Sequence, residues 1–432
     1  MSEPLVAVRL ESFPDPEAVF LALFADARHA FWLDAGPAAA QGWSWTGAGT
    51  RADRRDVTRT ELDPTTRELP AQAGPFAGGW VGWTGYDAAA ERAGAPAVHD
   101  AAAPADAWMR VDLFIAFDHG SRAAWAIGPR TAADELARAA SRVTAPGVLA
   151  PPDPLVANCR HAPAEYAALI ERCRDAIREG DAYQLCLTTR FEVSGAVDVV
   201  AAYRRLRAAT PAHHGGLIVA AGVALASASP ERFLEAREGV VRTRPIKGTR
   251  PRGIDPAHDA ALAEQLRASD KERAENVMIV DLMRNDLSRV CETGSVAVER
   301  LLEIESYPAV HQLVSTVSGR LRDGVRVADL LAAAFPAGSM SGAPKLSAMT
   351  ILRRLEDAPR GVFAGCFGWV GGDGTLDLAM VIRSIVVHDA GAYVGAGGGI
   401  TWLSDADEEV AEVGIKARGP LAALGAVLPP GW

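Results

Sequence analysis

An acid and an amine are brought together by the stretch SASPERFLEAREGVVRTRPIKGTRPRG, Ser227 to Gly253. Its runs Phe233 to Arg237 and Val240 to Arg244 predict two strands, and Glu238-Gly239 supplies the turn of a hairpin. Folding there pairs residues whose numbers sum to 477, so Glu231 falls opposite Ile246 or Lys247. Paired strand residues sit about 5 Å apart at Cα, close enough for a carboxyl and an ammonium to work on one molecule. A solvated ion pair would leave the same trace and be worth little. The surroundings of the lysine, Pro245, Gly248 and Thr249, are not demanded by packing. A lysine drawn out of water loses part of its preference for charge and becomes a nucleophile or base.

Two E-x-x-E pairs add carboxylates. Ser269-Asp270 caps a predicted helix, KERAENVMIVDLMRNDLSRV, on which Glu272 and Glu275 share a face. A later helix in DADEEVAEVGIKARGPL carries Glu409, Glu412 and Lys416 on one stripe. One such pair is what a solvated helix face gives. Two of them beside glycine-rich strand ends suit a four-carboxylate clamp for Mg²⁺, which keeps its waters and takes few protein oxygens. Two stretches read as anion cradles: FPAGSMSGAPK, with Gly338, Ser339 and Ser341 before a helix, and GAGGGI, with Gly397, Gly398 and Gly399 after the strand AYVG. Between them LDLAMVIRSIVV is predicted as one buried strand, and Arg383 lies inside it. A buried guanidinium is costly unless paired, either in a structural ion pair or with a ligand carboxylate.

The elements that must hold these groups fill a chain of 432 residues, enough for one large domain or two ordinary ones. A net charge of −10 argues against a nucleic-acid binder, and five scattered cysteines without C-x-x-C spacing argue for reduced thiols. No leader and no membrane-crossing apolar run is read, so a cytoplasmic protein is expected. Residues 1–150 alternate short strands with Ala/Pro-rich loops; Pro75 to Ala89, with GGWVGWTGYD, reads as tight sheet packing, and Val111 to Asp118 as one strand. The prolines of TAPGVLAPPDPL mark a boundary. Beyond it, residues 160–425 hold helices from Pro163 to Glu179 and from Ala196 to Ala208, and an apolar strand from Gly216 to Ala228.

SPERF, RPIKGTR, KERAENVMIVDLMRNDL, VHQLVSTVSG, FPAGSMSGAPK, GAGGGI and the terminal E-x-x-E-x-x-x-K together resemble the chorismate-utilising enzymes. This family includes the anthranilate, aminodeoxychorismate, isochorismate and salicylate synthases. The resemblance is strong over about residues 160–420 and looser before. It implies an α+β fold of antiparallel sheets forming a sandwich wrapped by helices, with residues 1–150 and 160–425 intertwined around one cleft. It implies Mg²⁺ bound through Glu272, Glu275, Glu409 and Glu412, with Arg383 and the glycine cradle on the substrate's enolpyruvyl carboxylate. Glu231 matches a general acid, and His311 matches a histidine lining the substrate ring; Thr249, Ser339, Ser341, Gly338 and Lys416 belong to the matching substrate-binding motifs.

Two positions discriminate among members. Where the water-using synthases carry a lysine base, this chain has Gln184, and an amide cannot deprotonate water. Where anthranilate synthases resemble PIAGT, this chain reads PIKGT, as in the members that aminate chorismate at C4, aminodeoxychorismate synthase component I. Lys247 would attack C2, and ammonia would then enter at C4. No glutaminase region is read, so ammonia is expected free or from a separate glutaminase subunit. An anthranilate-forming enzyme and a non-catalytic chorismate-binding subunit are the alternatives. The chain departs from the family pattern at Phe363, where tyrosine is usual, at Cys186, where asparagine is usual, and at Ala35, which breaks a tryptophan-binding signature.

Overall fold

The computed structural model describes residues 3–62, 72, 74–307 and 310–432. Among the described residues the chain builds a twelve-stranded and a ten-stranded sheet, plus a parallel two-stranded pair. Every strand pair within the two large sheets is antiparallel. Both sheets mix strands from before and after residue 150. Ala30–Asp34, for instance, pairs with His214–Ala220, and Gly79–Thr84 pairs with Cys366–Gly371.

Strand alternation makes the layers. Phe31 and Leu33 join Trp45, Phe76, Trp83 and Trp369 in a core between the two sheets. Ala30 and Trp32, pointing the other way, join a second core on the outer face of the larger sheet. That outer core is closed by the apolar stripes of helices Pro163–Arg178, Val199–Ala209, Lys345–Glu356 and Ala406–Ala423. Helix Asp270–Ser288 gives Ile279, Val280, Met283 and Leu287 to the other core. The result is the expected helix-wrapped sandwich.

The hairpin has the expected register, with Glu235, Ala236 and Arg237 opposite Arg242, Val241 and Val240. Its second strand resumes after Pro245 as Ile246–Pro251, along the same neighbour, Val310–Arg320.

Three predicted single strands are broken. Gly216 to Ala228 is two strands, His214–Ala220 and Val223–Ser229, joined by Ala221-Gly222 at φ of 54° and 80°. An Ala-Gly turn inside an unbroken apolar run gives almost no sequence signal. Val111 to Asp118 divides into the end of Asp106–Val111 in the smaller sheet and Phe114–Asp118 in the larger. LDLAMVIRSIVV divides likewise into Leu376–Met380 and Ser384–His388. In these last two the chain passes from one sheet to the other, and apolar character persists because both strands are buried. Arg383 stands at the second crossing with φ of 53°, a left-handed conformation that a side-chain-bearing residue rarely adopts.

Candidate active site

A cavity of about 600 Å³ opens between the two sheets and two helices. The smaller sheet contributes Glu231, at the entrance to strand Arg232–Arg237, and Lys247 and Thr249 from strand Ile246–Pro251. The larger sheet contributes Gly395 to Gly399. These glycines lie within strand Gly391–Ile400, not in a loop after it, paired to Arg190 through Cys186. Close approach explains them: a Cβ on Gly399 would stand 3.2 Å from Lys247 Nζ, and one on Gly398 would stand 2.8 Å from Glu409 Oε2. Phe363 covers Gly395.

Glu231 is buried and accepts a hydrogen bond from Ser339 Oγ at 3.1 Å. Burial pushes its carboxyl up to about 7; the Ser339 bond and the charges of Lys247 and Lys416 offset only part of this. Lys247 Nζ pairs with Glu275 Oε2 at 3.2 Å. Burial disfavours its ammonium, but Glu275, Cys186 and Glu231 outweigh burial and hold it above the ordinary lysine range. The sequence-based expectation of a lysine relieved of its charge by burial is corrected here: the adjacent carboxylate decides.

Helix Asp270–Ser288 begins at Ser269, whose hydroxyl accepts from Glu272 N, and so aims Glu272 and Glu275 into the cavity. Asn276 locks that helix to the wall. Its Nδ2 donates to Leu313 O at 3.3 Å and its Oδ1 accepts from Ser315 Oγ at 2.5 Å. Glu412 and Lys416 enter from helix Ala406–Ala423; Lys416 Nζ bridges Glu412 Oε1 at 2.6 Å and Gly397 O at 2.8 Å. Glu409 stays behind Gly398, accepting from Ser404 Oγ at 2.8 Å and pairing with Lys271 at 3.4 Å. Burial, then the charge of Glu275, raises the Glu272 carboxyl, whereas Lys416, Lys247 and Lys271 overcome burial and lower Glu412.

Arg383 lines the cavity, and among the described residues its guanidinium has neither a hydrogen bond nor an ion pair. Burial lowers its pKa, opposed only by Glu412. An unpaired, largely buried guanidinium facing a cavity is a site for an anion.

Some expected residues stand elsewhere. His311 is 2% exposed and off the cavity, its ring nitrogens engaged by Ser306 Oγ at 2.8 Å and Asp259 Oδ1 at 2.9 Å. Its neighbours Val310 and Gln312 line the cavity instead. Period-two alternation makes the two faces exclusive, but the sequence does not say which face is inward. In the first cradle Ser339 and Met340 reach the cavity, while Ser341 bonds back to Ala337 O and Gly338 packs against Leu282. Lys271 and Arg250, unmarked in the sequence, add positive charge at the rim.

Over residues 20–422 the chain matches the chorismate binding enzyme family, and it belongs to that family. It is 41% identical to an aminodeoxychorismate synthase of Streptomyces pristinaespiralis, over 95% of this chain and 64% of that protein. It is 39% identical to anthranilate synthase component 1 of Streptomyces coelicolor, over 87% of this chain and 78% of that one. The chain thus spans a little under two thirds of the length of the first of these relatives. Its fold superposes on anthranilate synthase component I from Streptococcus pneumoniae with a TM-score of 0.73 at 29% identity, covering 97% and 92% of the two chains.

Proposed function

We propose that this chain is the chorismate-aminating component of an aminodeoxychorismate synthase, replacing the 4-hydroxyl of chorismate with nitrogen from ammonia. The observation that carries this reading is Lys247: its amine opens into the same cavity as Glu231, with Arg383, unpaired among the described residues, lining that cavity too. Arg383 binds the enolpyruvyl carboxylate of the substrate. Glu231, neutral for much of the time near pH 7, gives its proton to the departing 4-hydroxyl, which leaves as water. Lys247, after passing its proton to Glu275 Oε2 at 3.2 Å, forms a bond to C2 as the ring double bonds shift and the C4–O bond breaks. Ammonia then bonds to C4, the double bonds return, and the C2–N bond breaks to release Lys247. Water is a poor competitor because the buried residue behind Gly399 is Gln184, an amide without basicity.

The donor set suits Mg²⁺. Glu272, Glu275 and Glu412 are hard oxygen ligands lining one cavity, and burial, then the charge of Glu275, raises the Glu272 carboxyl. Among the described residues no three His, Cys, Asp or Glu side chains are grouped closely enough to hold a metal ion on their own; Glu272, Glu275 and Glu412 are the residues that would hold one here. When bound, the ion supplies positive charge for the substrate's ring carboxylate. The nitrogen is supplied as ammonia by a glutaminase, for which ammonium salts substitute in an assay of this chain. No helix among the described residues is long and apolar enough to cross a membrane. The test is to incubate the chain with chorismate, Mg²⁺ and ammonium and identify the product by mass and retention. Aminodeoxychorismate is expected; anthranilate would overturn the reading and favour the second group of relatives.

A further inference from the structure

Behind the cavity wall lies a buried pair that the proposed chemistry does not use. Glu356 ends helix Lys345–Glu356, and Arg360 follows four residues later. Both are at most 4% exposed. Arg360 Nε donates to Glu356 Oε2 at 2.9 Å, and Nη2 donates to Glu356 Oε1 at 2.6 Å. The remaining fork reaches two backbone carbonyls of cavity-lining residues: Nη1 to Met340 O at 2.6 Å and Nη2 to Cys186 O at 2.8 Å. Glu356 Oε1 in turn accepts from both N and Oγ1 of Thr188 at 2.9 Å.

The pair is itself held by the segment around Tyr86 and Asp87 that reads in sequence only as tight packing. The guanidinium lies 4.3 Å over the Tyr86 ring, and Asp87 accepts from Arg360 N at 3.0 Å and Gly361 N at 2.8 Å. Arg360 therefore ties together strand Gln184–Ser194, the turn Gly338–Met340 and the first third of the chain. Met340 follows Ser339, the residue that donates to Glu231.

We infer that Arg360 is a positioning residue: its fork fixes the Met340 carbonyl against strand Gln184–Ser194, and so holds Ser339 within hydrogen-bond reach of Glu231. A lysine could keep the ion pair with Glu356 but could not span both carbonyls, because it lacks the planar fork. Misplacement of a reacting group by about 1 Å costs about a hundredfold in rate. The inference rests on the reading of Glu231 as proton donor.

The experiment is a double-mutant cycle between Arg360→Lys and Ser339→Ala, read as chorismate consumption, with product identity scored separately. Arg360→Lys is expected to lower kcat by about ten- to a hundredfold with KM for chorismate within about threefold, because Arg383 is untouched. Ser339→Ala should then cost little in the Arg360→Lys background, since Ser339 is already displaced. Additive losses, or a rise in KM at unchanged kcat, would overturn the inference. Should Arg360→Lys not fold, Thr188→Val removes one bond to Glu356 at nearly constant volume. It should show a smaller kcat loss that is likewise non-additive with Ser339→Ala, and additivity there would overturn the inference equally. A wild-type chain that consumes chorismate without aminating C4 would instead refute the functional reading, leaving the cycle interpretable.

Discussion

Lys247 Nζ stands 3.2 Å from Glu275 Oε2, so the candidate nucleophile is paired to a candidate metal ligand and not to the acid that its hairpin register faces. Lys247→Ala removes the nucleophile and leaves the alanine form of the motif. The variant should lose at least about 99% of its 4-amination, on the order of 3 kcal/mol of barrier, and the ammonia that still reacts should enter at C2. Product analysis by mass and retention decides this, since wild-type output of aminodeoxychorismate from the variant would remove the covalent route. Wild-type protein quenched during turnover without ammonia should carry a chorismate-derived adduct on the peptide containing Lys247.

Glu231 makes the fold depend on pH in a definite direction. Its carboxyl holds a proton up to about pH 7 when folded, against 4.5 as the ordinary value. The folded state therefore binds more protons between those values, and stability falls as pH rises from 4.5 through 7. Glu231→Gln removes that penalty and should be more stable than wild type at pH 8 by roughly 1–3 kcal/mol, with the difference vanishing below pH 4.5. Urea unfolding at pH 4 and pH 8 measures it. The same variant should lose about 10²–10⁴-fold in kcat, and a difference that grew toward low pH would contradict the assignment.

Arg383→Ala removes the proposed anion site, which among the described residues has no hydrogen-bond or ion-pair partner to orphan. The loss should fall on chorismate capture, about 2–5 kcal/mol in apparent affinity, with little loss of folding stability. Steady-state KM beside thermal unfolding separates the two, and an unchanged KM would make Arg383 structural.

Chelation should abolish turnover, and Mg²⁺ should restore it. Glu412→Gln should need about tenfold more Mg²⁺ for half-maximal rate, the lower end of the loss seen when a metal site is weakened. It should also free Lys416 from its 2.6 Å partner. Magnesium titration of both proteins tests this; full activity of either in excess chelator would end the metal assignment.

The sequence displayed the chemistry more fully than the geometry. Motif spacing picked out Glu231, Lys247, Arg383, Glu272, Glu275 and Glu412, all of which line one cavity. The hairpin register was legible because a two-residue turn leaves no freedom in pairing. What stayed hidden depends on three-dimensional parity and contact. His311 and Gln312 differ only in which face of one strand they occupy. The sheet crossings near Val111 and Arg383 are marked in the sequence only by a charged residue, Asp112 and Arg383, with no glycine or proline to betray a change of sheet. The Glu356–Arg360 pair and its Tyr86 platform join residues 274 positions apart, as the bond from Gly361 N to Asp87 records. No local pattern carries that.

Arg383 sits on the hinge line of the sandwich, where the chain leaves one sheet and enters the other. Lys247 and Glu231 ride on one slab and the glycine cradle on its opposite, so a substrate held by all three becomes a cross-strut between slabs. Recognition is then a gauge of slab alignment as well as of local chemistry. A volume change deep between the sheets, at Trp369 or Phe76, would tilt one slab against the other and register as weakened substrate capture before it registered as unfolding.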